Sequence, residues 1–136
     1  MTDAAPITPL PTGVRSAARA GTPLIVFGGS FDPPHLGHMA IATNVRTLID
    51  PTAWLLYIPA AQSPLKAVPG ASEVQRLAML SLALTDTPPT PEPAAIWTDE
   101  IDRAAWARDR HRDTSSYTVD TLTRLRTLIA PAAPVH

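Results

Sequence analysis

Gly28-Gly29-Ser30-Phe31-Asp32-Pro33-Pro34-His35-Leu36-Gly37-His38 lies between a short apolar run, Leu24-Ile25-Val26-Phe27, and a stretch in which Met39, Ala40, Ile41, Val45 and Leu48 recur at helical spacing. The four apolar residues read as a strand buried on both faces, and the recurrence reads as a helix. Chain direction therefore reverses at the two glycines. Gly28 and Gly29 are free to take backbone angles that a Cβ forbids and to bring their amides close to an anion. His35 and His38 stand three apart, so a helix starting near Leu36 projects both from its first turn. Unpaired amides at a helix start, the macrodipole and two imidazoles that titrate near neutrality all favour negative charge there, and a polyphosphate suits such a site.

Two plainer readings compete. One takes the histidines as unrelated polar residues near a helix cap. The other takes them as metal ligands, but zinc usually needs a third and fourth protein ligand. The chain has no cysteine, and its other histidines, His111 and His136, lie far along in polar or terminal segments. No residue is therefore assigned to metal. Asp32, flanked by proline, reads as a turn-forming, backbone-bonding aspartate at least as well as a magnesium ligand.

Outward from this loop, residues 1–22 are rich in alanine, proline and threonine and read as a disordered tail. An ordered domain is expected over 23–136. Pro51 stops the first helix, and Ala53 to Ile58 form a second apolar run ended by Pro59. A loop carries Gln62-Ser63-Pro64-Leu65-Lys66, where Lys66 is the chain's single lysine. Ser72 followed by Gln75 is a capping box for a helix through about Leu84, with Leu77, Met79, Leu80 and Leu84 as its buried face. Ala94 to Thr98 read as a third strand and Tyr117 to Ile129 as a third amphipathic helix. The order βαβαβα implies a parallel sheet with right-handed crossovers, the first half of a doubly wound Rossmann-like α/β fold. The first strand would then have one open edge.

With 136 residues, 45% of them hydrophobic, and a net charge of −1, the chain describes one modest globular core. Its apolar runs are strand-sized and no charged-then-apolar leader opens it, so no membrane span is expected, and Asp3 and the prolines spoil the amphipathic pattern of a transit peptide around Arg15 and Arg19. The near-neutral charge offers no footprint for nucleic acid. Arg103, Arg108, Arg110 and Arg112 alternate with Asp102, Asp109 and Asp113, so the segment reads as a solvated loop. The absence of cysteine fits a cytoplasmic protein.

The glycine-histidine stretch resembles the H-x-G-H nucleotidyltransferase superfamily and is most similar to the bacterial nicotinate-nucleotide adenylyltransferase family. Further matches follow in order: Pro59 through Pro64-Leu65-Lys66, Gln75-Arg76 with Met79-Leu80 and Leu82-Ala83, and Ser116-Tyr117-Thr118-Val119-Asp120-Thr121-Leu122. The resemblance implies a Rossmann-like nucleotidyltransferase fold that adenylylates nicotinate mononucleotide with ATP and Mg²⁺. It implies that His35 and His38 contact the ATP phosphates, beside backbone from Gly28, Gly29, Ser30 and Phe31. Lys66 would meet the mononucleotide phosphate, and Tyr117 and Thr118 the nicotinate, whereas Ser116 and Thr118 read alone are helix caps. Leu65 stands where many relatives have a histidine. The family's later phosphate motif is absent, and Pro134-Val135-His136 falls where its fourth strand begins, which implies a domain truncated at its C-terminus. The alternatives are another H-x-G-H adenylyltransferase, acting on phosphopantetheine or nicotinamide mononucleotide, and a non-catalytic nucleotide-binding fragment.

Overall fold

The computed structural model describes residues 4–34, 36–61, 70–85, 93–113, 118–131 and 133–136. Among these residues three short strands, β1 (Leu24–Gly29), β2 (Trp54–Pro59) and β3 (Ala94–Ile96), pair in parallel in the order β1-β2-β3. The register sets Leu24 opposite Trp54 and Gly29 opposite Pro59, then Leu55 opposite Ala94 and Tyr57 opposite Ile96. Among the described residues five helices surround the sheet: α1 (Thr12–Arg19), α2 (Leu36–Ile49), α3 (Glu73–Thr85), α4 (Asp99–Asp109) and α5 (Thr118–Arg126). This is the expected Rossmann-like α/β arrangement, a parallel sheet whose strands alternate with helices.

Alternation along the strands divides the core in two. Leu24, Leu56 and Ile58 pack with Val14, Ala18, Trp97 and Leu125 on one face, and Ile25, Leu55 and Tyr57 pack with Met39, Ala42 and Leu80 on the other. Helices cover both faces, which is why β2 carries an almost unbroken apolar run. On α2, Met39 and Ala42 are buried, while Ile41 and Leu48 face outward at 54% and 84% exposure. The capping box of α3 is made as expected, with Ser72 N–H donating to Gln75 Oε1 at 2.9 Å and Gln75 N–H to Ser72 Oγ at 3.1 Å.

Three expectations are corrected. Residues 4–22 are not a tail: Leu10, Val14 and Ala18, spaced four apart, are buried against β2 and Trp97. Their alanine-rich surroundings conceal this apolar stripe, although alanine is the best helix former. Gly21, at φ +85°, closes α1, and Thr22 N–H reaches back to Ala17 O at 3.0 Å, a Schellman-type ending. The arginine-rich segment is not a solvated loop either. It forms most of α4, which buries Ile101, Ala104 and Ala107 at three-residue spacing and carries Asp99, Glu100 and Asp102 in its first turn, where the macrodipole favours acids. Finally, the free edge of β1 is partly covered. Val135 bridges Leu24 in parallel, with Leu24 N–H donating to Pro134 O and Val26 N–H to His136 O at 2.9 and 2.8 Å.

Candidate active site at the carboxyl ends of the strands

The loop leaves β1 at Gly29, whose carbonyl accepts from Ala60 N–H at 2.8 Å beyond the end of β2. The residue in the left-handed region is not a glycine, as the sequence suggests, but Phe31, at φ +51°. A bulky residue holds that conformation only when its surroundings over-determine it. They do so here: the Phe31 ring is 2% exposed, with its centroid 5.7 Å from Phe27, 5.8 Å from Tyr57 and 5.2 Å from His38. Gly28 serves through its missing side chain. A Cβ there would meet nothing closer than Ile58 O at 3.9 Å, so the bare backbone is open to a ligand.

Two contacts tie the loop to α3. Ala71 N–H donates to Asp32 Oδ1 at 3.0 Å, just before α3, so this aspartate is a backbone anchor. One turn into the helix, Arg76 Nη1 donates to Ser30 O at 2.6 Å. Arg76 is 3% exposed. Its position four residues before Leu80, on the buried side of α3, is the sequence signal for it; its matching pair Gln75-Arg76 suggested no role.

A cavity of about 500 Å³ opens on the Val26 and Ile58 side of the strand ends. Gly28 and Gly29 form part of its wall, together with Glu100 from α4 and Thr118 and Thr121 from α5. Two expected site elements, the glycine loop and the start of α5, therefore meet at one opening. His38, in the first turn of α2, is half-buried and sits on the opposite side of β1, edge-on to Phe31 and tilted against Phe27 at 6.2 Å. His35, Lys66, Ser116 and Tyr117 lie outside the described residues. Glu100 and Thr121 were not singled out by the sequence as binding residues. Glu100 reaches the wall because α4 is a helix where the sequence reads a solvated loop, and Thr121 because it lies three residues after Thr118 on α5.

Behind the cavity, α4 and α5 are clamped together. Asp99, fully buried, accepts from Arg124 Nε at 2.7 Å, Arg124 Nη2 at 2.8 Å and Thr8 N–H at 2.9 Å. Burial pushes its carboxyl up, but these bonds to the charged form outweigh burial and hold it below the usual carboxylate range. Trp97 Nε1 donates to Thr8 O at 2.8 Å, so the N-terminal segment is part of the clamp.

Residues 26–131 match the family model for cytidylyltransferase-like proteins. The chain belongs to the cytidylyltransferase-like family. Relatives of this cytidylyltransferase-like chain include a protein of Stenotrophomonas maltophilia named probable nicotinate-nucleotide adenylyltransferase, 45% identical over 112 residues, which are 82% of this chain and 46% of that protein. A Xylella fastidiosa protein of the same name is 38% identical over 112 residues, covering 82% of this chain and 45% of the relative. A third, from Herpetosiphon aurantiacus, is 37% identical over 100 residues, covering 74% and 43%. The chain thus spans about half the length of the curated relatives it matches. Among the described residues no group of three or more His, Cys, Asp or Glu side chains is placed to hold a metal ion, and no helix is long and apolar enough to cross a membrane.

Proposed function

We propose that this chain is the nucleotide-binding part of an enzyme that transfers AMP from ATP to nicotinate mononucleotide, giving deamido-NAD and pyrophosphate in NAD biosynthesis. The observation that carries the reading is the glycine loop, with its bare backbone on a cavity wall shared with Thr118, in a chain 45% identical to a protein of that name. A phosphate oxygen of the mononucleotide attacks the α-phosphorus of ATP. The bond from that phosphorus to the bridging oxygen breaks, and pyrophosphate leaves with the electron pair. The attacking phosphomonoester has a second pKa of about 6 and is largely dianionic at neutral pH, so no general base is needed. Repulsion between two anions is the obstacle, and catalysis consists of aligning them and stabilising charge on the phosphate oxygens.

In this reading His35 and His38 donate to the ATP phosphates, and the backbone of Gly28, Gly29, Ser30 and Phe31 approaches them. Lys66 places a point charge on the mononucleotide phosphate. Thr118 and the first amides of α5 receive the nicotinate carboxylate, with Tyr117 beside it. Mg²⁺ enters as part of the ATP substrate, because it binds largely through phosphates and water with few protein ligands. Asp32 already spends one carboxylate oxygen on Ala71 and is not assigned to it. Both substrates are soluble metabolites, and the expected location is the cytoplasm.

Pyrophosphate release with ATP and each acceptor tests the reading. Turnover with nicotinate mononucleotide, and little with nicotinamide mononucleotide or phosphopantetheine, supports it; preference for either of the others overturns the acceptor assignment. The second reading is a nucleotide-binding segment without turnover of its own. Calorimetric binding of ATP without pyrophosphate release from any acceptor supports that one.

A further inference from the structure

Arg76 is the one buried polar side chain whose bonding is incomplete among the described residues. Its Nη2 is inaccessible and has no hydrogen-bond partner, while Nη1 holds Ser30 O. No acidic side chain pairs with it among the described residues. A guanidinium does not shed its proton, and a buried charge without a counter-charge costs several kcal/mol. The fold carries that cost immediately behind the turn from Gly29 to Phe31.

The contact with Ser30 also sets the geometry of the loop. The Ser30–Phe31 peptide is trans, so fixing its carbonyl toward the guanidinium turns the Phe31 N–H the opposite way, outward from α3. The Asp32–Ala71 bond holds the other side of Phe31. We propose that Arg76 is a positioning residue for anion binding: it aims the loop's amides at the ligand and supplies a buried positive charge whose counter-ion is a phosphate of the bound substrate. The charge acts through low-dielectric protein, where its field on an anion across the loop is strong. This rests on reading the loop as a phosphate site and adds to it a residue that touches no substrate. The phosphate comes either from ATP or from the acceptor mononucleotide.

Calorimetry with ATP, inorganic tripolyphosphate and nicotinate mononucleotide, alongside thermal melts of wild type, R76M and R76K, tests the proposal. R76M replaces an unpaired charge with an apolar stem of similar length, so its Tm is expected to be unchanged or higher while ATP or mononucleotide binding weakens about tenfold or more. Loss confined to ATP and tripolyphosphate assigns the counter-ion to the triphosphate, and loss confined to the mononucleotide assigns it to the acceptor. R76K keeps the charge and is expected to bind within a few-fold of wild type. Should R76M fail to fold, R76K decides: retained affinity supports the proposal, and an R76K as weak as a charge-free site overturns it. Wild-type affinity in a folded R76M also overturns it. If wild type itself binds none of the three anions, the phosphate-site reading fails, and this inference with it.

Discussion

Two arginines sit in the interior on opposite sides of the sheet, and they are treated differently. Arg124, on α5, has its side chain 16% exposed and places a fork of two donors on the fully buried Asp99, with further bonds to Ala5 O and Pro6 O. Arg76, on α3, is 3% exposed and makes one bond to a loop carbonyl. The first is a closed network that joins the N-terminal segment, α4 and α5. The second is incomplete: Nη1 holds the candidate phosphate loop at Ser30 O, and Nη2 is inaccessible and has no partner. A paired buried charge fixes architecture, whereas an unpaired one beside a candidate site marks where a ligand completes the fold's electrostatics.

The largest effect should come from breaking the closed network. Asp99→Ala leaves Arg124 Nε and the Thr8 N–H without their acceptor and the guanidinium without its carboxylate, and urea unfolding should show a loss of about 3–5 kcal/mol. A loss below about 1 kcal/mol would erase the distinction between the two arginines, because the paired charge would then matter no more than a surface contact. Next comes the N-terminal segment that this network secures. Leu10→Ala removes a 3%-exposed side chain from the core shared with Trp97 and Leu125, and should cost about 2–5 kcal/mol in the same measurement. An effect within experimental error would mean that residues 4–22 are an appendage to the domain.

The strand-loop-helix unit at the candidate site was legible because its signals are local. Leu24 to Phe27, the glycine pair and the apolar spacing after His38 each declare themselves within a few residues. Two helices were hidden, and for a common reason: their buried stripes use small side chains, Ala18 in α1 and Ala104 and Ala107 in α4, that composition does not separate from their surroundings. The polar framework was illegible for another reason. Asp99 meets Thr8 across 91 positions and Arg76 meets Ser30 across 46, and no local pattern encodes such pairings. The pair Gln75-Arg76 was visible as a match, but only the tertiary fold turns its arginine inward behind the loop. Likewise Glu100 joins the wall containing Thr118 only once α4 is known to be a helix.

A smaller effect is expected where the loop is tied to α3. A Cβ on Gly70 would overlap Asp32 Oδ2, so Gly70→Ala must displace the carboxylate that anchors Ala71 N–H. A cost of about 1–3 kcal/mol follows from this steric conflict beside a loosened anchor. The comparison sharpens if ATP affinity falls with it, because Arg76 and Asp32 hold the two flanks of Phe31. Unchanged stability together with unchanged ATP affinity would show that α3 does not hold the loop.

The smallest effect is a pH dependence that the two arginines should not share. The Asp99 carboxyl titrates below its unfolded value, so its contribution is complete above the unfolded pKa of about 4 and is lost as pH falls through the lower folded pKa. The urea midpoint of the wild type should therefore decline as pH drops below about 4, as protonation weakens the fork from Arg124. Asp99→Asn has no carboxylate to protonate there, and its midpoint should begin lower and fall less steeply over the same range. Arg76→Met leaves the Asp99 network intact and should retain the wild-type slope. Parallel profiles for wild type and Asp99→Asn would mean that acid unfolding is governed by other carboxylates, and that the closed network contributes through shape rather than charge.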